Sequence, residues 1–390
     1  MRTTTRAPVR MPSPVRSSTS IRSQGGVRRS NAPSRACQAK RSLAVTGIRV
    51  RASKTCDLPM FPPGATVRRR MIAPESLERA AELLRHGGVV ALPTETVYGL
   101  SANAEDELAV RRVFAIKGRP ATHPLIVHIP GVEHLNTWAR EVPEAARKLA
   151  EAFWPGPLTL VLPRTARATD AVTGGQDTVA LRVPNHPVAL AVLQKLGGGL
   201  AAPSANRFGK VSPTTAEHVR EDLGGDVDLV LDGGPCTVGV ESTIVDLSSN
   251  EPAILRPGGL AAEDVERVLG RKVPVRTSSK VRVSGSLESH YAPRAGVVLT
   301  EPVQAVARVQ ELRGQGLRVG VLGPASLALP PDVPRFDVPD EPAGAARVLY
   351  ARLREADTQG HDVLVACLPA ESGLGIAVRD RLSRAAAPRG

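Results

Sequence analysis

Residues 89–130 read VVALPTETVYGLSANAEDELAVRRVFAIKGRPATHPLIVHIP, and this stretch decides the fold. It opens on an apolar run, 89–92, short and sharply bounded enough to be a buried strand. Pro93 stops the ladder, and the hydroxyls of Thr94 and Thr96, the carboxylate of Glu95 and the phenol of Tyr98 follow before Gly99 permits a turn. Residues 107–116 have a helical period that puts Leu108, Val110, Val113 and Phe114 on one inward face. The run ends at Lys117-Gly118-Arg119-Pro120, where Gly and Pro both oppose continuation. Residues 125–129 are a second apolar strand, with His128 inside it. Polar groups therefore gather where a buried sheet meets its loops, the usual place for a small-molecule site in an α/β fold.

The same alternation extends in both directions. Upstream, Pro74 and Ser76 start a helix carrying Leu77, Ala80, Leu83 and Leu84, closed by Gly87-Gly88. Downstream, helices are expected over 143–153, 187–196, 215–223 and 263–269, and strands over 158–162, 178–183, 200–202, 228–231, 242–247 and 253–256. Residues 271–289 are basic, Ser-rich and without period, which reads as a linker. Beyond it, strands at 296–299, 317–322 and 362–367 alternate with helices at 303–312, 342–355 and 374–386, the pattern of a smaller open sheet. The expected class is α/β, with a larger domain at 72–270, a linker or lid at 271–293 and a small α/β domain at 294–390.

The formal charge of +13 invites a nucleic-acid reading, but its location argues against one. Residues 1–70 hold 14 Arg and 2 Lys against one acid, Asp57, for +15, and the rest of the chain is −2. A nearly neutral body gives no electrostatic reason to expect nucleic acid. Residues 1–56, rich in Arg, Ser, Thr, Ala and Pro, have the composition of an organelle transit peptide and lack the apolar centre of a secretory signal. The alternative is a disordered basic tail. The destination expected is a plastid or a mitochondrion, with Ser, Ala and Pro tilting towards the plastid, and the step from Val50-Arg51 to Ala52 resembles a processing site. Without processing the chain would stay in the cytoplasm. Cys37, Cys56, Cys236 and Cys367 show neither disulfide-framework nor zinc-site spacing. No apolar run approaches the roughly 20 residues a membrane span needs, so no membrane partner is expected.

Four strand-end turns deliver chemistry: Thr94/Thr96, Lys117/Arg119, Arg182 and Ser204/Asn206. Lys117 and Arg119 stand two apart, as do Ser204 and Asn206, so an extended backbone aims each pair to one side. Two cations with hydroxyl and amide donors suit phosphate oxygens. Taken singly, KGR also fits a solvated turn and SAN an ordinary one. Arg182 is either buried against a carboxylate or a surface charge on an edge strand, since an unpaired buried guanidinium is too costly. His128 is either a site residue or a hydrogen-bonded core histidine. Glu241-Ser242-Thr243 and Arg256 are open to a strand-boundary reading as well. No GxxxxGK[ST], strand-linked GxGxxG or GxSxG is present, which removes P-loop, dinucleotide-fold and α/β-hydrolase readings. Aromatic residues at 3% are too few for stacking-based single-strand binding.

In order, PTETVYGL, KGRP, HPLIVH, WPGPLTLVL, LRVP, APSAN and GVESTIVD resemble the YrdC-like threonylcarbamoyl-adenylate synthases over about residues 72–270. SHYAP at 289–293 and the last domain resemble the long, two-domain branch. The resemblance implies a twisted, mainly parallel open sheet bent around a deep positive cavity. It implies condensation of L-threonine, bicarbonate or carbon dioxide, and ATP to threonylcarbamoyl-AMP and pyrophosphate. A downstream transferase then passes the threonylcarbamoyl group to tRNA adenosine, so at most a weak tRNA contact is expected of this chain. Lys117, Arg119, Ser204 and Asn206 match the tetrad around the phosphates. Thr178, Ser212 and Arg256 match further nucleotide contacts, and Thr96, His128, Arg182, Ala202 and Ser242 match the threonine pocket. His290-Tyr291 match a lid-like segment in which Tyr291 approaches ATP. His123 stands where the family often has Asn, which makes that ATP contact pH-sensitive.

That chemistry piles negative charge into one pocket and so demands fixed cations. The cofactor expected is Mg²⁺ brought with ATP and held by phosphates and water, with no protein metal site. Two readings compete. A double-stranded RNA or tRNA module needs surface charge that the body lacks. Carbamoyl transfer in hydrogenase maturation expects upstream zinc-finger cysteines, which the sequence does not contain.

Overall fold

The computed structural model describes residues 72–276, 279–285 and 290–388. The expected leader, with its processing step, Cys37 and Cys56, lies outside the described residues, as do 277–278 and 286–289 of the expected linker. All the described residues fall in one compact unit.

The chain opens with α1 (Pro74–Arg85), whose Ala80 and Leu84 pack on α6 (Pro187–Leu196) through Val188, Val192 and Leu193. β1 (Val90–Leu92) turns at Pro93–Tyr98 and returns as β2 (Gly99–Asn103). α2 (Glu107–Lys117) starts where the Asp106 side chain accepts from the amides of Leu108 and Ala109, and stops at Gly118, whose φ of 63° is the left-handed cap. β3 (Ile126–His128), α3 (Leu135–Trp138), α4 (Glu144–Phe153), β4 (Leu158–Pro163), α5 (Asp170–Thr173) and β5 (Thr178–Arg182) follow. After α6 come β6 (Leu200–Ala201), α7 (Ala216–Leu223), β7 (Leu229–Val230), β8 (Thr243–Asp246), β9 (Ala253–Arg256) and α8 (Ala262–Leu269).

These nine strands form one open sheet in the order β7-β1-β2-β6-β3-β5-β4-β8-β9. The α/β class holds, but the sheet is mixed where a mainly parallel one was expected. β1–β7, β3–β5 and β4–β8 pair parallel, whereas the other five neighbouring pairs are antiparallel. Connection length accounts for two of the five: a parallel neighbour needs a crossover of about a dozen residues, and the links from β1 to β2 and from β8 to β9 are far shorter. Leu108 also departs from expectation. It is 79% exposed, and the inward face of α2 is instead Ala109, Val110, Val113 and Phe114.

The second sheet is wholly parallel, in the order β10-β13-β11-β12. Its strands are β10 (Gly296–Thr300), β11 (Val319–Gly323), β12 (Arg335–Asp337) and β13 (Val363–Cys367). Val309 and Leu312 of α9 (Ala305–Gly314) cover one face through Val319, Val321 and Val365. On the other face lie α10 (Pro342–Thr358) and α11 (Gly375–Ala386), against Leu322, Phe336, Leu364 and Ala366. The same apolar cluster takes in Val97, Val211 and Val240 from the larger domain and Tyr291 from the stretch between the two. α10 and α11 are therefore shared between the two halves. Among the described residues, no helix is long and apolar enough to cross a membrane.

Candidate active site

A cavity of about 490 Å³, counted with its open mouth, lies against the face of the large sheet that carries Ile126 and His128. Residues two apart on a strand share a face, and parallel pairing sets Arg182 beside His128. Gly99, Ala202, Ser204, Glu241 and Arg256 also line it, together with Ser284, Gly285, His290 and Tyr291. The turn after β1 is stapled by Thr94, whose hydroxyl donates to the Val97 carbonyl at 2.6 Å and accepts from the Val97 amide at 3.3 Å. That places Thr96 on the cavity wall. Tyr98 is spent elsewhere, its hydroxyl donating to the Gly234 carbonyl at 2.8 Å.

Of the two readings of Arg182, the structure shows the buried one. Its Nη2 lies 2.7 Å from Oε1 of Glu95, both side chains being almost wholly buried, and its Nε donates to the Gly156 carbonyl at 3.2 Å. Glu95 is fixed in turn by the Asn185 amide, 3.0 Å from Oε2. His128 is buried and held neutral, because burial and then the Arg182 charge push its pKa well below the ordinary histidine value.

The tetrad expected at the phosphates divides. Arg119 and Ser204 line the cavity, and Lys117 and Asn206 stand behind it. The Lys117 ammonium donates to the carbonyls of Ser204 and Asn206, each at 2.5 Å. It thereby braces the loop that presents Ser204, and burial followed by the Arg119 charge lowers its pKa well below the usual value. The Asn206 amide nitrogen donates to the carbonyls of Arg207 and Lys210, both at 2.8 Å. Arg119 donates to the Pro124 carbonyl at 3.0 Å and the Ser284 hydroxyl at 3.3 Å, and its buried Nε has no partner among the described residues. Burial brings its pKa down to about 10, which leaves it a cation at neutral pH.

The remaining expected residues take supporting or neighbouring places. Arg256 and Tyr291 line the cavity. Ser242 sits behind Arg256 and aims it, its carbonyl accepting from Nη2 at 2.8 Å and Nε at 3.1 Å. Ser212 donates to Glu241 at 2.7 Å. Thr178 lines an adjoining recess that shares Ile126 and Ser284 with the main cavity. His123 is half-buried, its ring edge-on to Phe208 at 5.8 Å, and burial followed by the charges of Arg119 and Arg282 lowers its pKa. Among the described residues, no group of three or more His, Cys, Asp or Glu is placed to hold a metal.

Glu95, Glu241 and Ser284 were not singled out as site residues by sequence reasoning. Glu95 sits between two threonines that were, and its alternation with them was the available signal. Glu241 becomes informative only when two of its partners, Tyr350 and Arg381, each more than 100 residues away, are known.

Buried histidines give the fold a pH signature. Burial is the first cause that lowers His128, and it also brings His218 down to about 4 and His290 to about 3. These groups stay neutral in the folded chain, while the unfolded chain binds protons below pH ~6.5. Stability should therefore be fully present above that pH and fall as pH drops towards 4, by up to ~1.4 kcal/mol per pH unit for each of His128 and His290, and by less for the half-buried His218, which solvent screens. Urea unfolding at a series of pH values checks this, and a flat profile between pH 7 and 4.5 contradicts it.

Comparison with known proteins places this geometry. The Sua5/YciO/YrdC family model, described as telomere recombination, matches residues 82–258, and the model for the threonylcarbamoyl-AMP synthase C-terminal domain matches residues 260–387. A threonylcarbamoyl-AMP synthase of Pyrococcus abyssi is 45% identical over 322 residues, which cover 80% of this chain and 94% of that protein. One from Bacillus subtilis is 41% identical over 329 residues, covering 80% and 93%. The crystal structure of P. abyssi Sua5 complexed with L-threonine superposes with a TM-score of 0.78 at 42% identity, covering 82% of this chain and 96% of that one. Matched in both domains and over nearly the whole length of these relatives, the chain belongs to the threonylcarbamoyl-AMP synthase family.

Proposed function

We propose that this protein condenses L-threonine, bicarbonate or carbon dioxide, and ATP to threonylcarbamoyl-AMP, releasing pyrophosphate. The observation that carries the reading is the convergence of three guanidinium groups, Arg119, Arg182 and Arg256, on one cavity that also presents Thr96, Ser204 and a neutral His128. The amine of threonine attacks the carbon of bicarbonate, forming a C–N bond and releasing water, or adds to carbon dioxide with loss of a proton. A carbamate oxygen then attacks the α-phosphorus, and the bond to pyrophosphate breaks. Each step concentrates negative charge, and cations fixed in a dry pocket stabilise it without reorganising. Arg182 receives the substrate carboxylate, while Arg119 and Arg256 face the phosphates. ATP enters as its Mg²⁺ complex, the ion held by phosphate oxygens and water. The product passes to a threonylcarbamoyl transferase acting on tRNA. Pyrophosphate release tests the reading: it should require threonine and bicarbonate together, and release at the same rate without threonine contradicts it.

Residues 1–56 we assign to delivery into a plastid or mitochondrion, on composition. A chain beginning at Thr66 is expected to form the adenylate at the full-length rate, since every described residue falls in one compact unit. A large loss of activity with folding intact would remove the transit-peptide reading.

A further inference from the structure

α11 presents Ala377, Val378, Leu382 and Ala385 inward, and among them stands Arg381, wholly buried. A guanidinium in such a place needs a charged partner. One is its neighbour Asp380. The other comes from the larger domain: Nε donates to Oε2 of Glu241 at 2.8 Å, and Nη2 donates to the Pro257 carbonyl at 3.0 Å. Tyr350 of α10 donates its hydroxyl to the same carboxylate at 2.8 Å, and Ser212 donates to Oε1 at 2.7 Å. The Arg381 guanidinium also lies over the Tyr291 ring, 5.1 Å from its centroid, and Tyr291 stacks on Tyr350 at 5.6 Å and 26°. Tyr291 holds a φ of 61°, the left-handed conformation that a bulky residue keeps only when its surroundings impose it. Both residues held from the C-terminal domain, Glu241 and Tyr291, line the cavity.

We propose that Arg381, with Tyr350 beside it, is a positioning residue for the nucleotide side of the cavity, so that the C-terminal domain forms part of the active site. Arg381 saturates the Glu241 carboxylate and clamps Tyr291. The carboxylate is thereby kept from drawing Arg256, whose guanidinium is close enough to interact with it electrostatically, away from the phosphates. The inference rests on the adenylate-forming reading above, because it takes the anion at Arg256 to be ATP.

Removing Arg381 should release Glu241 to capture Arg256, and removing the Glu241 charge as well should undo the damage. In the full-length chain, Arg381→Met is expected to weaken MgATP, in KM and in Kd by titration calorimetry, by ~10- to 100-fold. Threonine KM should move less than ~3-fold, since the Arg182–Glu95 pair expected to receive its carboxylate is held by contacts that do not involve Arg381. Adding Glu241→Gln to Arg381→Met is expected to recover most of the ATP affinity. A purely structural role for Arg381 predicts no such recovery. Tyr350→Phe deletes one hydroxyl from a residue that keeps its packing, and should raise the MgATP Kd by ~3- to 10-fold. Unchanged ATP affinity in Tyr350→Phe or in Arg381→Met overturns the proposal, as does equal loss for both substrates without recovery in the double variant. If Arg381→Met does not fold, the double variant and Tyr350→Phe decide alone. Because Kd is read without turnover, a wild type that binds MgATP but releases no pyrophosphate with threonine and bicarbonate defeats only the functional reading.

Discussion

Replacing Lys117 by Met should leave a folded protein that forms adenylate ~100-fold more slowly. The ammonium makes two charge-assisted bonds, to the Ser204 and Asn206 carbonyls, each worth roughly 1.5–3 kcal/mol. Losing both leaves the carbonyls buried and frees the loop that presents Ser204, an effect of ~3 kcal/mol or about two decades in rate. Since Lys117 stands behind the cavity, the defect should fall on kcat and ATP KM together, with threonine affinity nearly unchanged. Steady-state kinetics against each substrate checks this, and a wild-type rate would show that the bracing is dispensable. Arg119→Ala, which strips a cation from the cavity wall itself, should cost ~10- to 150-fold in the same assay.

Arg182 is expected to yield two separable effects. Arg182→Ala leaves the Glu95 carboxylate buried beside no cation, and breaking a buried pair from one side costs ~3–5 kcal/mol of folding stability. Glu95→Gln in the same chain should recover part of that loss in urea unfolding, because it removes the stranded charge. Arg182→Lys keeps the charge but lacks the planar fork that grips a carboxylate through two bonds. It should weaken threonine binding by ~1–3 kcal/mol with ATP affinity little changed. Titration of each ligand separately distinguishes the outcomes. Equal losses for both ligands indicate general damage to the cavity, and no loss for either removes Arg182 from the site.

How much of this was legible in the sequence depended on whether the signal was local. β1, α2 and β3 carry their own period and stops, and they stand within a residue or two of where those signals put them. β2 does not: GLSAN has poor strand propensity, and it is extended because β1 and β6 pair with it from both sides. β12, three residues at a sheet edge, likewise has no pattern long enough to read. The cavity shows the same division. The turns bearing Thr96, Arg119, Arg182 and Ser204 were visible because each follows an apolar run or a helix stop. Side-chain direction was not visible. KGR and SAN looked like two sides of a phosphate cradle, yet the Lys117 ammonium and the Asn206 amide nitrogen donate to backbone carbonyls, and neither residue lines the cavity. Glu241 read as an ordinary strand boundary because the charge that defines it, Arg381, lies 140 residues further on.

If this cavity builds a threonylcarbamoyl group on AMP, its nucleotide product carries both threonine and the bicarbonate carbon. Mass spectrometry of the nucleotide product, made from MgATP, threonine and carbon-13-labelled bicarbonate, tests it most directly. The expected product is an AMP adduct that contains threonine and one labelled carbon, formed together with pyrophosphate. An adduct of threonine and AMP without the label would mean that the threonine carboxylate itself had been adenylated, and no adduct under conditions where ATP and threonine both bind would contradict the account outright.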